Sequence, residues 1–133
     1  MKESRHFYVV RQEHLDGNGH GNNTRCQGVF FEASREKVLA CNGLGADVLR
    51  EGGVALYVSR HLGGNFFRPI YLNDIVSVYT TFEYAGGVRV TSEQRMVRRG
   101  EKVADARMEY VFVNVKTGRP IRPPADLVEK LGI

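Results

Sequence analysis

The chain has 133 residues, of which 42% are hydrophobic and 26% charged, with a net charge of +4. These proportions are those of one ordinary globular domain, 1–133, large enough to bury a core, and no apolar run is long enough to span a membrane. The positive charge admits an anionic partner, such as a phosphate-rich cofactor, a nucleic acid or an acidic carrier protein, and names none of them.

The opening Met1-Lys2-Glu3-Ser4-Arg5-His6 is too polar for a signal peptide. Residues 6–14 (HFYVVRQEH) read as a first strand, ended by a glycine-rich loop. That loop, Leu15 to Asn23, gathers a carboxylate (Asp16), an imidazole (His20) and three side-chain amides (Asn18, Asn22, Asn23) among Gly17, Gly19 and Gly21. The glycines permit positive φ and a close approach of backbone to a ligand. Asn22 and Asn23 stand where a helix N-cap is expected.

From Asn22 to about Cys41 the spacing becomes helical. Cys26, Phe30, Ala33, Ser34, Val38 and Cys41 share one broad arc, with Arg25, Glu32, Arg35 and Glu36 opposite. Asn42-Gly43 supplies a left-handed end. The two cysteines, Cys26 and Cys41, then lie about 22 Å apart along the helix axis, too far to bridge. They lack metal-type spacing, and free thiols suit a reducing, cytoplasmic setting.

A short helical turn follows at 45–51. Beyond Gly52-Gly53 the pattern turns to strands. Residues 54–62 and 65–68 read as one long strand kinked at Gly63-Gly64. In 75–84, Val76, Val78, Thr80, Phe82 and Tyr84 face one way and Ile75, Ser77, Tyr79, Thr81 and Glu83 the other. Gly86-Gly87 marks a hairpin, and 88–97 alternates again. Arg99-Gly100-Glu101 turns the chain into 102–115, where Ala104, Ala106, Met108, Tyr110 and Phe112 oppose Val103, Asp105, Arg107 and Glu109. Thr117-Gly118-Arg119-Pro120 ends the sheet, and Pro123-Pro124 leads into a terminal helix at 125–131. The expected class is α+β, an antiparallel sheet of five strands with one long helix on one face. One helix covers only part of such a sheet and an edge strand stays open, deficits commonly met by dimerisation.

The spelling Asp16-x-Asn18-x-His20-x-Asn22-Asn23, followed by Phe31-Glu32-Ala33-Ser34-Arg35, resembles the hotdog-fold thioesterases of the 4-hydroxybenzoyl-CoA type and is closest to their acyl-ACP branch. Phe67-Arg68-Pro69 with Asn73-Asp74, and Thr117-Gly118-Arg119-Pro120, resemble the later strands and C-terminus of that family. The chain departs from it at Cys26, where the family usually has Tyr, and in a helix one residue longer before Arg35. The resemblance implies a hotdog fold, a five-stranded sheet wrapped around a long central helix, with homodimers or homotetramers whose sites lie between subunits. It also implies hydrolysis of an acyl thioester on coenzyme A or acyl carrier protein, with no further cofactor.

That chemistry needs a nucleophile or a base to activate water, and donors for the developing oxyanion. Asp16 suits the first task, by direct attack through a mixed anhydride or by general-base catalysis; its structural alternative is bonding to loop amides. His20 suits donation to the carbonyl oxygen or protonation of the leaving thiolate, and Asn18 suits orienting water or holding Asp16. Asn22 and Asn23 cap a helix whose exposed N–H groups form a natural oxyanion site. Glu32 is the rival carboxylate, placed on a charged stripe that reads as solvated or ion-paired. Arg95, Arg98, Arg99 and Lys102 read as a solvated hairpin tip, and Arg60, Arg68, Arg119 and Arg122 as unranked phosphate contacts. Phe30, Phe31, Phe66 and Phe67 read as core, some of them lining an acyl channel.

Two other functions compete. A hotdog enoyl-CoA hydratase spaces its His five residues after the Asp, whereas His20 follows Asp16 by four. A non-catalytic acyl-thioester sensor needs the pocket without Asp16, and usually a DNA-binding segment for which 133 residues leave no room. Nucleic-acid binding is disfavoured because acidic residues interrupt every basic cluster.

Overall fold

A computed structural model describes residues 3–15 and 26–133, the side chains of Cys26 and Gln27 excepted. Strand β1 (Ser4–Val9) precedes a single 3-10 turn, Gln12–His14. A helical stretch runs from Cys26 to Cys41, its α-helical part, α1, being Glu32–Cys41. Helix α2 (Ala46–Glu51) follows, then strands β2 (Val54–Phe66), β3 (Ile75–Gly86), β4 (Arg89–Arg98), β5 (Glu101–Asn114) and β6 (Pro120–Ile121), and last helix α3 (Ala125–Leu131). The sheet runs β1-β3-β4-β5-β2, with β6 added beside β5. Every pairing among the described residues is antiparallel, so the α+β expectation holds.

The departures from the expected elements have local causes. β1 stops at Val9 because its last rung pairs with Ile75, the first residue of β3. Val10 is then tied to the turn before β3, its N–H donating to the Asp74 carbonyl at 2.8 Å, and the chain bends away. Asn114 receives the N–H groups of Lys116 and Thr117 on its side-chain oxygen, and Gly118 takes φ +71. This turn returns the chain against β5, where Pro120 and Ile121 make the sixth, two-residue strand instead of ending the sheet. β2 is continuous to Phe66 with two register shifts, one between Val58 and Arg60 and one between His61 and Gly63.

The helix begins differently from the even α-helix expected. Cys26–Phe31 is wound as a π-helix and becomes α-helical at Glu32. A π turn holds an extra residue, which brings both Phe30 and Phe31 to the buried side at 2% and 0% exposure. The buried α1 face is then Phe31, Ser34, Arg35 and Val38, the i, i+3, i+4, i+7 spacing of one helix face. Arg35 therefore lies inside and not on the charged stripe, while Cys41 is exposed and free.

The helix and the sheet face beneath it enclose two apolar clusters. One contains Val10, Phe30, Phe31, Val76, Val78, Met96 and Ala106. The other contains Val38, Leu49, Phe82, Val90, Met108, Tyr110 and Phe112. Between them runs a belt of buried polar side chains. Thr80 lies between Val78 and Phe82 on β3, Ser92 and Gln94 lie between Val90 and Met96 on β4, and Ser34 and Arg35 lie between Phe31 and Val38 on the helix. Phe66 and Phe67, expected in the core, are 39% and 53% exposed, at the end of β2 beyond both of its register shifts.

Candidate active site

Asp16, Asn18, His20, Asn22 and Asn23 lie outside the described residues, and so does Arg25. The structure does define both ends of the segment that carries them. At its start the 3-10 turn is locked by His14, whose Nδ1 accepts the Arg11 N–H at 2.9 Å. The imidazole is 6% exposed and meets the Phe30 ring edge-on, with centroids 4.7 Å apart. One core aromatic at the helix start thus braces the residue two positions before Asp16. Across the same ring, Tyr8 stacks at 5.0 Å, and its hydroxyl bonds to Ser34 Oγ at 2.8 Å.

At the far end, the π-wound entry of the helix is held by Gln94. Its Nε2 donates to the Phe31 carbonyl at 2.9 Å and to Thr80 Oγ1 at 3.0 Å, while its Oε1 accepts from Arg35 Nη1 at 2.9 Å. Thr80 and Gln94 are cross-strand partners, so the amide spans sheet and helix at one level. The Tyr110 hydroxyl completes the group. Burial pushes this phenol above its ordinary pKa, against the neighbouring Arg35 and Ser92, which favour the phenolate. Sequence pattern missed this network, since Arg35 was assigned to the outer stripe and Gln94 drew no attention. An amide on the apolar face of an alternating strand was the one available signal.

Arg35 and Tyr110 also line a groove of about 510 Å³ between α1, α2 and β2. Its walls include Leu39, Leu44, Leu49, Leu56 and Val58, and Glu32, Glu36 and Arg50 lie along it too. Glu32 is exposed, consistent with the solvated reading of that carboxylate. A second hollow, about 440 Å³, lies on the opposite face of the sheet among Glu3, Glu93, Arg95, Lys102, Asp105 and Arg107. Those charges satisfy one another: Arg95 grips Glu3, Arg107 reaches Glu93 and Lys102 reaches Asp105. Of the other hairpin-tip cations, Arg98 pairs with Asp74, and Lys102 also lies 5.2 Å from the Phe67 ring centre. Arg68 pairs with Glu101 and Arg60 with Glu109.

Residues 10–131 match the thioesterase-like superfamily. No curated protein matches the sequence. In three dimensions the chain is similar to Slr0204, a 1,4-dihydroxy-2-naphthoyl-CoA thioesterase from Synechocystis, with a TM-score of 0.87 at 17% identity, covering 98% of this chain and 96% of that one. It is similar to YbaW, a probable thioesterase from Escherichia coli, with a TM-score of 0.81 at 26% identity, covering 96% and 95%. It is also similar to SAV2348 from Staphylococcus aureus in complex with CoA, with a TM-score of 0.88 at 14% identity, covering 98% and 82%. With its antiparallel sheet closed over the helix that follows the glycine-rich loop, the chain has the hotdog fold and belongs to the thioesterase-like superfamily.

Proposed function

We propose that this chain hydrolyses an acyl thioester, carried on coenzyme A or acyl carrier protein, to the free acid and the thiol. The family match over residues 10–131 carries the reading, because it spans the loop with its carboxylate, imidazole and amides. Asp16 acts as nucleophile or as general base on water. Carbon–oxygen bond formation at the thioester carbonyl gives an oxyanion, which the helix N-terminus and its asparagines stabilise. Collapse breaks the carbon–sulfur bond, and the thiolate takes a proton, with His20 as donor and Asn18 orienting the water or Asp16; where Asp16 is the nucleophile, water then cleaves the mixed anhydride, releasing the acid and restoring the carboxylate. A relative in complex with CoA supports coenzyme A as one carrier.

The working unit in this reading is a homodimer or homotetramer of single-domain chains in the cytoplasm. The thirteen residues of β2 pair on one side with β5, and the outer edge presents Tyr57 and Val58 at 56% and 44% exposure. An open edge of that length is a template for a second strand. No helix among the described residues is long and apolar enough to cross a membrane.

The test is thiol release from a panel of short, medium, long and aryl acyl-CoAs and acyl-ACP. Wild type runs beside Asp16→Asn and Glu32→Gln. Turnover lost with Asp16→Asn and kept with Glu32→Gln is the expected result. A fully active Asp16→Asn enzyme would overturn the assignment of the acid, and absence of any hydrolysis would overturn the reaction.

A further inference from the structure

The groove between α1, α2 and β2 has a chemical asymmetry that a plain hydrocarbon pocket does not need. Its apolar walls include four leucines and a valine, and Arg35, only 6% exposed, is the most deeply buried charged residue of the lining. Among the described residues no carboxylate comes within ion-pair distance of that guanidinium, although Glu32 and Glu36 are its neighbours on the helix. Its partners are neutral, the Gln94 carbonyl oxygen at 2.9 Å and the neighbouring Tyr110 hydroxyl, which also feels the charge of Glu32. A guanidinium has five N–H donors in a planar fork suited to a carboxylate. A buried charge is normally paired, because desolvation without a counterion is costly. The groove volume falls within the range of roughly 300–1,000 Å³ usual for small-molecule sites.

We infer that the part of the groove around Arg35 is a carboxylate-binding subsite, in which Arg35, with the Tyr110 hydroxyl beside it, receives an anionic group at the far end of the acyl chain. The inference rests on the thioesterase reading and names its substrate class: half-thioesters of dicarboxylic acids. The walls accept the methylene chain and the guanidinium accepts the terminal carboxylate in a charge-assisted bond. Glu32 and Glu36 are exposed to solvent at the groove, where Arg50 also lies. The four ionised side chains of the lining therefore sum to zero, so an incoming anion meets no net repulsion.

Adipoyl-CoA and hexanoyl-CoA test this directly, since they differ in a terminal carboxylate against a methyl group. The expected result is a preference for adipoyl-CoA of at least about tenfold in kcat/KM, as befits a site built around one polar group of its ligand. Arg35→Met should bring the ratio near one. Arg35→Lys and Tyr110→Phe, milder changes, should lower it partway and keep the test open if Arg35→Met does not fold. Calorimetric titration of wild type and Arg35→Lys with adipate, and with uncharged hexanamide as control, reads the subsite without any hydrolysis. Adipate bound through Arg35 while no thioester is cleaved would sink the hydrolase reading and leave the subsite standing. Equal or better turnover of hexanoyl-CoA, a preference that survives Arg35→Met, or adipate no tighter than hexanamide would overturn the subsite.

Discussion

Replacing Gln94 by Leu removes the amide that joins helix to sheet and leaves the surrounding shape nearly filled. Three buried groups lose a hydrogen bond at once: the Phe31 carbonyl, the Thr80 hydroxyl and the Arg35 guanidinium. An orphaned buried polar group costs about 1–3 kcal/mol, and more if charged. Taking about 1 kcal/mol for each of the three lost bonds, the low end of that range, the total is about 3 kcal/mol. Globular proteins unfold with about 2.1 cal/mol/K per residue, which for this chain makes the loss equivalent to a fall of roughly 11 °C in Tm. Urea titration with circular dichroism reads the free energy, and calorimetry reads the Tm. The double variant Arg35→Met, Gln94→Leu completes the argument. Removing the charge together with its acceptor should make it no less stable than Gln94→Leu alone, because apolar replacement of both partners is nearly neutral. A loss below about 1 kcal/mol for Gln94→Leu, or a strictly additive double variant, would refute the view that the belt is one coupled network.

The same packing leads to two further expectations. The Tyr110 phenol is held above its ordinary value of 10.0 mainly by burial. The unfolded chain thus releases this proton first as pH rises, so the contribution is intact below about pH 10 and is lost as pH climbs through the folded value. Urea unfolding between about pH 9 and 11 should show that decline, and Tyr110→Phe should flatten it; an equally steep decline in the variant would remove Tyr110 as its source. Arg99 occupies a left-handed conformation at φ +51 beside Gly100 at φ +77, in the hairpin that closes between Arg98 and Glu101. A left-handed residue with a side chain carries about 1–2 kcal/mol of strain. Arg99→Gly relieves it at some cost in unfolded-chain entropy, for a net gain of up to about 1 kcal/mol in urea; no gain would indicate an unstrained turn.

The sheet was legible because its signal is binary. On β3, Val76, Val78, Thr80 and Phe82 alternate with outward residues and are all fully buried. The same reading placed the β5 face, and the glycine pair 86–87 and Gly100 marked their hairpins. The helix was harder. Its phase depends on where winding is tight, and a π-wound entry at Cys26–Phe31 rotates everything before Glu32 relative to everything after it. A single wheel drawn across 22–41 therefore put Arg35 outside, whereas the structure buries it. Phe66 and Phe67 failed for a tertiary reason: they follow two bulges whose displacement no local pattern records. The motif from Asp16 to Asn23 lies outside the described residues, and its reading as a catalytic loop rests on its density of functional groups.

The polar belt raises a question that stability alone does not answer. Val, Leu and Met at the positions of Thr80, Gln94 and Arg35 would merge the two apolar clusters into one core, and such replacements of buried ionic networks are often neutral or stabilising. The belt is also not needed for register, because the alternation on β3, β4 and β5 already decides which face is buried. What the belt does provide is a fixed guanidinium at the wall of a groove. Gln94 holds it from the sheet side, and the same amide holds the Phe31 carbonyl at the helix entry. A departure from local rules that is hydrogen-bonded through Gln94 on the sheet side and lines a groove on the other is the pattern expected of a site kept for a ligand. In the proposed reaction it also couples the two ends of the path, since one amide holds both the entry of the helix that follows the Asp16 loop and the residue assigned to the far end of the acyl chain. Exchange of that amide should then disturb substrate choice and turnover together, whereas exchange of a groove leucine should disturb substrate choice alone.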